Sequence, residues 1–164
     1  MGNSNYLQAS DTLRVGVLGG FAGGLAEIAW IWTYGALTGA PLLPVARGIV
    51  ESTAPQLAAA AWAPALGIVI HLGLAVLLGI GLAIAIRQLA PRFVGVYSEY
   101  GVALLVLLGV WSVNFLVVLP YLNPGFVDLL PYSVTLLSKL MFGLAAAATL
   151  RAYRLRAAAT PSPA

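Results

Sequence analysis

Four long apolar stretches, at roughly 15–38, 60–86, 99–120 and 131–150, constrain this chain more than any other feature of its sequence. A run of about 18 or more apolar residues is long enough to cross the hydrocarbon core of a bilayer as a helix. Lipid offers the backbone no hydrogen-bond partners, so only helices or a closed barrel can span it. Barrel strands read as segments of about 10 residues with alternating polarity, whereas these runs are continuously apolar. The expected fold is therefore an all-α membrane protein, with four transmembrane helices in a bundle. Residues 1–150 form its single domain, and 151–164 a basic, partly disordered cytoplasmic tail.

Composition supports a membrane setting and excludes several functions. Hydrophobic residues make up 61% of the 164 and charged residues 8%, against about a quarter charged in soluble domains. The net charge of +3 raises nucleic acid as a partner. The basic residues are scattered among apolar stretches without aromatic interleaving, which argues against it. The absence of cysteine rules out disulfides, thiolate chemistry, iron–sulfur ligation and covalent haem attachment. Residues 1–13 lack a basic cluster, and the following apolar run is long and carries Glu27 in its middle. That pattern is a retained helix, not a cleaved signal.

Charge bias orients the four spans. Arg14, Arg87, Arg92, Arg151, Arg154 and Arg156 fall on one side and only Arg47 on the other, so both termini are expected to be cytoplasmic. Trp30, Trp32, Tyr34, Trp62, Tyr121 and Tyr132 then lie toward the outer interface, and Tyr97, Tyr100 and Tyr153 toward the inner one. In the first outer loop, Pro44 can open a helix and Pro55 stop one, with Arg47 and Glu51 at i, i+4 on one face, as solvated or interfacial groups, and Val45 and Ile49 on another. Residues 44–54 are read as a short amphipathic helix lying in the interface. The other outer loop, from Pro120 to Pro131, carries an Asn123-Pro124-Gly125 turn. A faint internal duplication sets Pro64 and His71 against Pro131 and Lys139.

Helices in lipid associate through close packing, so the spacing of small residues is informative. Gly16, Gly20, Gly23 and Glu27 follow one face of the first span, and Gly19 with Gly23 and Gly20 with Gly24 form two overlapping GxxxG steps. Gly67, His71, Ala75, Gly79 and Ala83 form an i, i+4 row in the second span, and Thr135, Lys139, Gly143 and Ala147 another in the fourth. Each ionisable residue thus lies on the smallest face of its helix. A charged group near the bilayer centre costs about 3 kcal/mol and almost always faces the bundle interior and pairs. At about 1.5 Å per residue, Glu27 and His71 come out roughly 16 Å deep, Lys139 about 12 Å and Asn114 about 8 Å.

These positions point to an ion pair between Glu27 and Lys139, with His71 beside it and Asn114 nearer the surface. Two readings follow. The cluster is a proton relay or the floor of a polar cavity, since histidine titrates near neutral pH, or it locks the packing of four helices and moves nothing. A single histidine without cysteine makes no zinc site and no bis-histidine haem within one chain, ligation of haem or metal by His71 together with a partner subunit stays open, and no cofactor is expected. Gly19–Gly24 lies inside an apolar span and is not a nucleotide-binding loop. No serine, histidine and carboxylate set shares a common depth, so no enzymatic activity is expected. Two function classes remain: a structural or accessory subunit of a larger membrane complex, or a small oligomeric transporter or channel for protons or a small solute. The expected partners are the lipid bilayer, other membrane subunits or further copies of the chain. The general look is similar to small bacterial inner-membrane proteins, a likeness that carries no activity.

Overall fold

The computed structural model describes residues 9–40, 42–90 and 98–159, and those residues contain helices, turns and no strands. The elements are α1 (Ala9–Thr38), α2 (Leu42–Thr53), α3 (Ala63–Leu89), α4 (Ser98–Val113), α5 (Leu119–Leu122), α6 (Pro124–Val127) and α7 (Tyr132–Ala159). A π turn at Asn114–Val118 joins α4 to α5 without a break. Four stretches of helix are long and apolar enough to cross a membrane: Asp11–Thr38, Ala63–Leu89, Ser98–Leu122 and Tyr132–Arg156.

Local chemistry sets most of the boundaries. Gly39 ends α1 with φ +74, its N–H returning 2.8 Å to the Gly35 carbonyl, a left-handed cap that glycine adopts without steric cost. Pro55 follows the end of α2 and opens a single 3₁₀ turn, Pro55–Leu57. α3 begins at Ala63, with Pro64 in its first turn, where no N–H is needed. The π turn has a cause in Pro120, which has no N–H and whose ring crowds the carbonyl four residues back in an α-helix. The chain widens ahead of it, and the Leu119 N–H bonds to the Asn114 carbonyl.

Neighbouring long helices run antiparallel, in the spatial order α3, α1, α7, α4. On one side of α1, Gly16 lies against Ile80, Gly20 against Ala75 and Val76, and Gly24 against Leu72 and Ala75 of α3. On its other side Trp30 bonds to the Val134 carbonyl, Glu27 meets Ser138, Gly23 meets Phe142 and Gly19 meets Ala146 of α7. α4 packs on the far side of α7, where Gly143 lies against Ala103 and Leu107. One core joins Val15, Leu82, Ile86, Leu107, Phe142 and Leu150, and a second joins Trp111, Phe115 and Leu119 with Phe126 and Leu136.

At the loop end, α2 lies on α3 so closely that Gly67 sits directly under the Ala46 carbonyl. Asn123 stitches the two loops together. Its side-chain NH₂ donates to Ser52 Oγ at 3.2 Å and to the Gly48 carbonyl at 3.4 Å, while its oxygen caps α6 by accepting the Phe126 N–H at 3.2 Å. Arg47, expected to be a solvated or interfacial group, donates to the Ala58 carbonyl and pins the turn that follows α2.

At the opposite end, helix continues past the expected boundary at 150 as far as Ala159. Residues expected to belong to a tail are packed there: Tyr153 donates to Asp11 at 3.0 Å, and Arg154 pairs with the buried Glu99. Both bonds give the last turns of α7 a folded partner, which composition alone does not reveal. Arg92 and Tyr97 fall outside the described residues, as does the tail beyond Ala159.

The small-residue positions are not equivalent. A methyl group on Gly20 would sit 2.5 Å from the Ala75 carbonyl oxygen, whereas one on Gly143 would find its nearest neighbour at 3.6 Å. Gly20→Ala is therefore expected to destabilise the folded chain by about 1–3 kcal/mol through overpacking. Gly143→Ala is expected to change stability by no more than about 0.5 kcal/mol. Thermal unfolding of the two variants in one mild detergent checks both.

Candidate functional site

The polar cluster forms because glycines on α1 leave room for it. Gly23 and Gly24, one turn before Glu27, let Phe142 of α7 close in from one side and Leu72 with Ala75 of α3 from the other. Glu27 therefore emerges in a cleft flanked by α3 and α7, with its side chain only 4% exposed. His71 reaches it from α3, and Lys139 and Ser138 from α7.

The two carboxylate oxygens have different surroundings. Oε1 lies 2.6 Å from Lys139 Nζ and accepts the Ser138 hydroxyl at 3.3 Å. Oε2 faces His71 Nε2 at 3.5 Å, and neither atom has a hydrogen-bond partner. The Lys139 ammonium also stands 5.7 Å from the centre of the Phe142 ring, close enough for a cation–π contribution. Short contact to a buried carboxylate, a second donor on the same oxygen and an aromatic face make a well-satisfied ion pair.

Asn114 takes no part in these contacts. It occupies the π turn, where its backbone carbonyl accepts the Leu119 N–H. The nearest hydrogen-bonded pair on that flank of α7 is Trp111, whose indole N–H donates to Thr135 Oγ1 at 3.1 Å while its ring stacks on Phe115 and meets Tyr132 edge-on. Trp111 is a packing residue with a satisfied N–H, not an open platform for a ligand.

The rows of small residues meet differently from the way a single interior face implies. In α7, the row through Thr135 and Gly143 faces α4, as the Trp111 and Ala103 contacts show. The row that meets α1 is Val134, Ser138, Phe142 and Ala146. Lys139 belongs to the former row and reaches back to Glu27. In α1, Gly16, Gly20 and Gly24 serve α3 while Gly19 and Gly23 serve α7, so the two overlapping GxxxG steps have separate partners. In α3, Ala75 and Gly79 meet α1, but Gly67 meets α2.

No family model, curated protein or solved structure matches this chain. Its chemistry has to be read from the cluster itself. Among the described residues no three His, Asp or Glu side chains gather to hold a metal ion. Ser138, His71 and Glu27 do share one level, against the expectation that no serine, histidine and carboxylate meet at a common depth, but the carboxylate stands between the other two, with Ser138 on Oε1 and His71 opposite Oε2. The signal for Ser138 is present in the sequence, because Ser138, Phe142 and Ala146 recur at i, i+4, but the bulk of Phe142 hides that row from a search for small residues.

Removing one member of a buried ion pair leaves the other charge without compensation. Lys139→Met is expected to lower unfolding free energy by about 3–5 kcal/mol, and the double variant Glu27→Leu with Lys139→Met to recover most of that loss. Denaturant unfolding of Glu27→Leu, Lys139→Met and the double variant beside the parent chain gives the coupling directly. Equal stability of Lys139→Met and parent would show that the pair holds nothing.

Proposed function

We propose that this chain is a multi-pass protein of a bacterial inner membrane and acts, without catalysis, as a structural or accessory subunit of a larger membrane complex. The observation that carries this reading is the closed state of Glu27 Oε1, held by Lys139 at 2.6 Å and Ser138 at 3.3 Å between close-packed helices. A carboxylate committed in this way fixes α1 relative to α7, which suits a part that presents a constant surface to its neighbours. The connections between helices are short, leaving little outside the spans to act as a separate domain.

In this reading both termini are cytoplasmic, in keeping with the arginine bias of the sequence. α2 and the loop around α6 then cover the outer end, with α2 lying in the interface. Leu43 at 69% exposure and Tyr121 at 88% supply the apolar and amphipathic anchors that such a position uses.

A second reading, a small oligomeric transporter or channel for protons or a small solute, is favoured by one observation: Glu27 Oε2 and His71 Nε2 have no hydrogen-bond partner. The two readings separate experimentally. The accessory reading expects the tagged full chain, extracted in mild detergent, to co-purify with other membrane proteins at fixed stoichiometry, and to leave proton and solute flux into liposomes at the level of empty vesicles. Flux above that level from the purified chain, lost in Glu27→Gln, would reverse the choice.

A further inference from the structure

Glu27 presents two oxygens with unequal duties. Oε1 is taken by Lys139 and Ser138, while Oε2 and His71 Nε2 face each other at 3.5 Å, buried and without other partners. An unmade hydrogen bond on a buried group costs about 1–3 kcal/mol. If the neutral imidazole carries its hydrogen on Nδ1, Nε2 turns a lone pair toward the carboxylate, and the two atoms repel. A hydrogen on Nε2 removes both penalties at once. The second asymmetry is access, because the His71 side chain is 23% exposed and that of Glu27 only 4%. Of the two side chains the imidazole is thus the more accessible from outside the bundle.

We propose that His71 and Glu27 together form a proton-binding site. The Nε2–H is directed at Glu27 Oε2, and hydronium delivers a second proton to the other ring nitrogen: one O–H bond breaks, one N–H bond forms and a neutral water is left. No other bond changes. The groups whose charge acts on His71 are Glu27 from α1 and Lys139 from α7; of the other elements at the loop end, α2 turns Arg47 to the Ala58 carbonyl and leaves Glu51 exposed. With Glu27 anionic and Lys139 cationic, the trio is neutral before the second proton binds and carries one positive charge afterwards. Glu27 keeps its bond to Lys139 throughout, so the site can load and unload without opening the ion pair. This inference rests on the commitment of Oε1 to Lys139, and goes beyond the packing role by giving Oε2 a ligand.

The chain contains a single histidine, so ¹⁵N-histidine labelling of the full chain, carrying a tag without histidine, reports one imidazole. In lipid nanodiscs, ¹⁵N shifts distinguish the two neutral tautomers from the cation. The expected result is a neutral ring with its hydrogen on Nε2 and reversible conversion to the cation as the pH falls. In Glu27→Gln the midpoint is expected to move by about one pH unit or more. A ring with hydrogen fixed on Nδ1, a ring that never takes the second proton, or a Glu27→Gln midpoint equal to the parent's would overturn the proposal. If Glu27→Gln does not fold, Glu27→Asp, which withdraws the carboxylate by one methylene, takes its place with the same two outcomes. Failure of the packing role would appear separately, as unchanged unfolding of Lys139→Met, and leaves the titration of the parent chain readable.

Discussion

Along the seam between α1 and α3, backbone meets backbone. Main-chain atoms of Ile80, Ala75 and Val76 fill the space that side chains at Gly16 and Gly20 would need. Helices surrounded by apolar solvent gain little by hiding apolar surface, so their association depends on contacts this close. The seam also sets the level of everything beside it. With α1 and α3 in register through Gly20, His71 stands at the height of Glu27. With Phe142 over Gly23, Ser138 and Lys139 stand there too. The cluster is a consequence of helix register, and register is a consequence of where glycines occur.

Much of this architecture is legible in the sequence because its signals are long-range averages. Runs of twenty or so apolar residues survive uncertainty at any one position, and the four helices long enough to span a membrane lie where those runs lie. The convergence of Glu27 with Lys139 and His71 is legible for a related reason, since ionisable groups in such runs have few places to go. What escaped is local and depends on a partner. The last turns of α7 read as a tail because their support comes from Asp11 and Glu99, far away in the chain. Arg47 and Glu51 have ideal helical spacing, yet Arg47 finds a backbone carbonyl across a turn. The π turn at Asn114 needs Pro120 to be weighed against the carbonyls before it, and the i, i+4 row of α7 that meets α1 contains a phenylalanine, which no search for small residues would choose.

The bundle divides its polar work between levels. At one end Tyr153 and Asp11, and Glu99 with Arg154, join helices near their termini. At the other, Asn123 holds the loop elements together through Ser52 and Gly48. Between them lies the Glu27 cluster, flanked by one core that includes Leu107 and Phe142 and another built on Trp111 and Phe115. Polar bonds at three heights resist both sliding and splaying of the helices, which apolar packing, being non-directional, constrains less.

The order of residues along the chain adds a constraint on biogenesis. A chain is made from its N-terminus, so in the membrane proposed here Glu27 enters the bilayer with the first helix, long before Lys139 has been synthesised. For that interval the carboxylate lacks the cation it is built around, a state costing about 3 kcal/mol at the bilayer centre. The first span therefore waits for the last. A ribosome stalled before α7 would leave a nascent protein whose first helix is poorly anchored, and the joining of α7 to α1 becomes the step that gives Glu27 its cation.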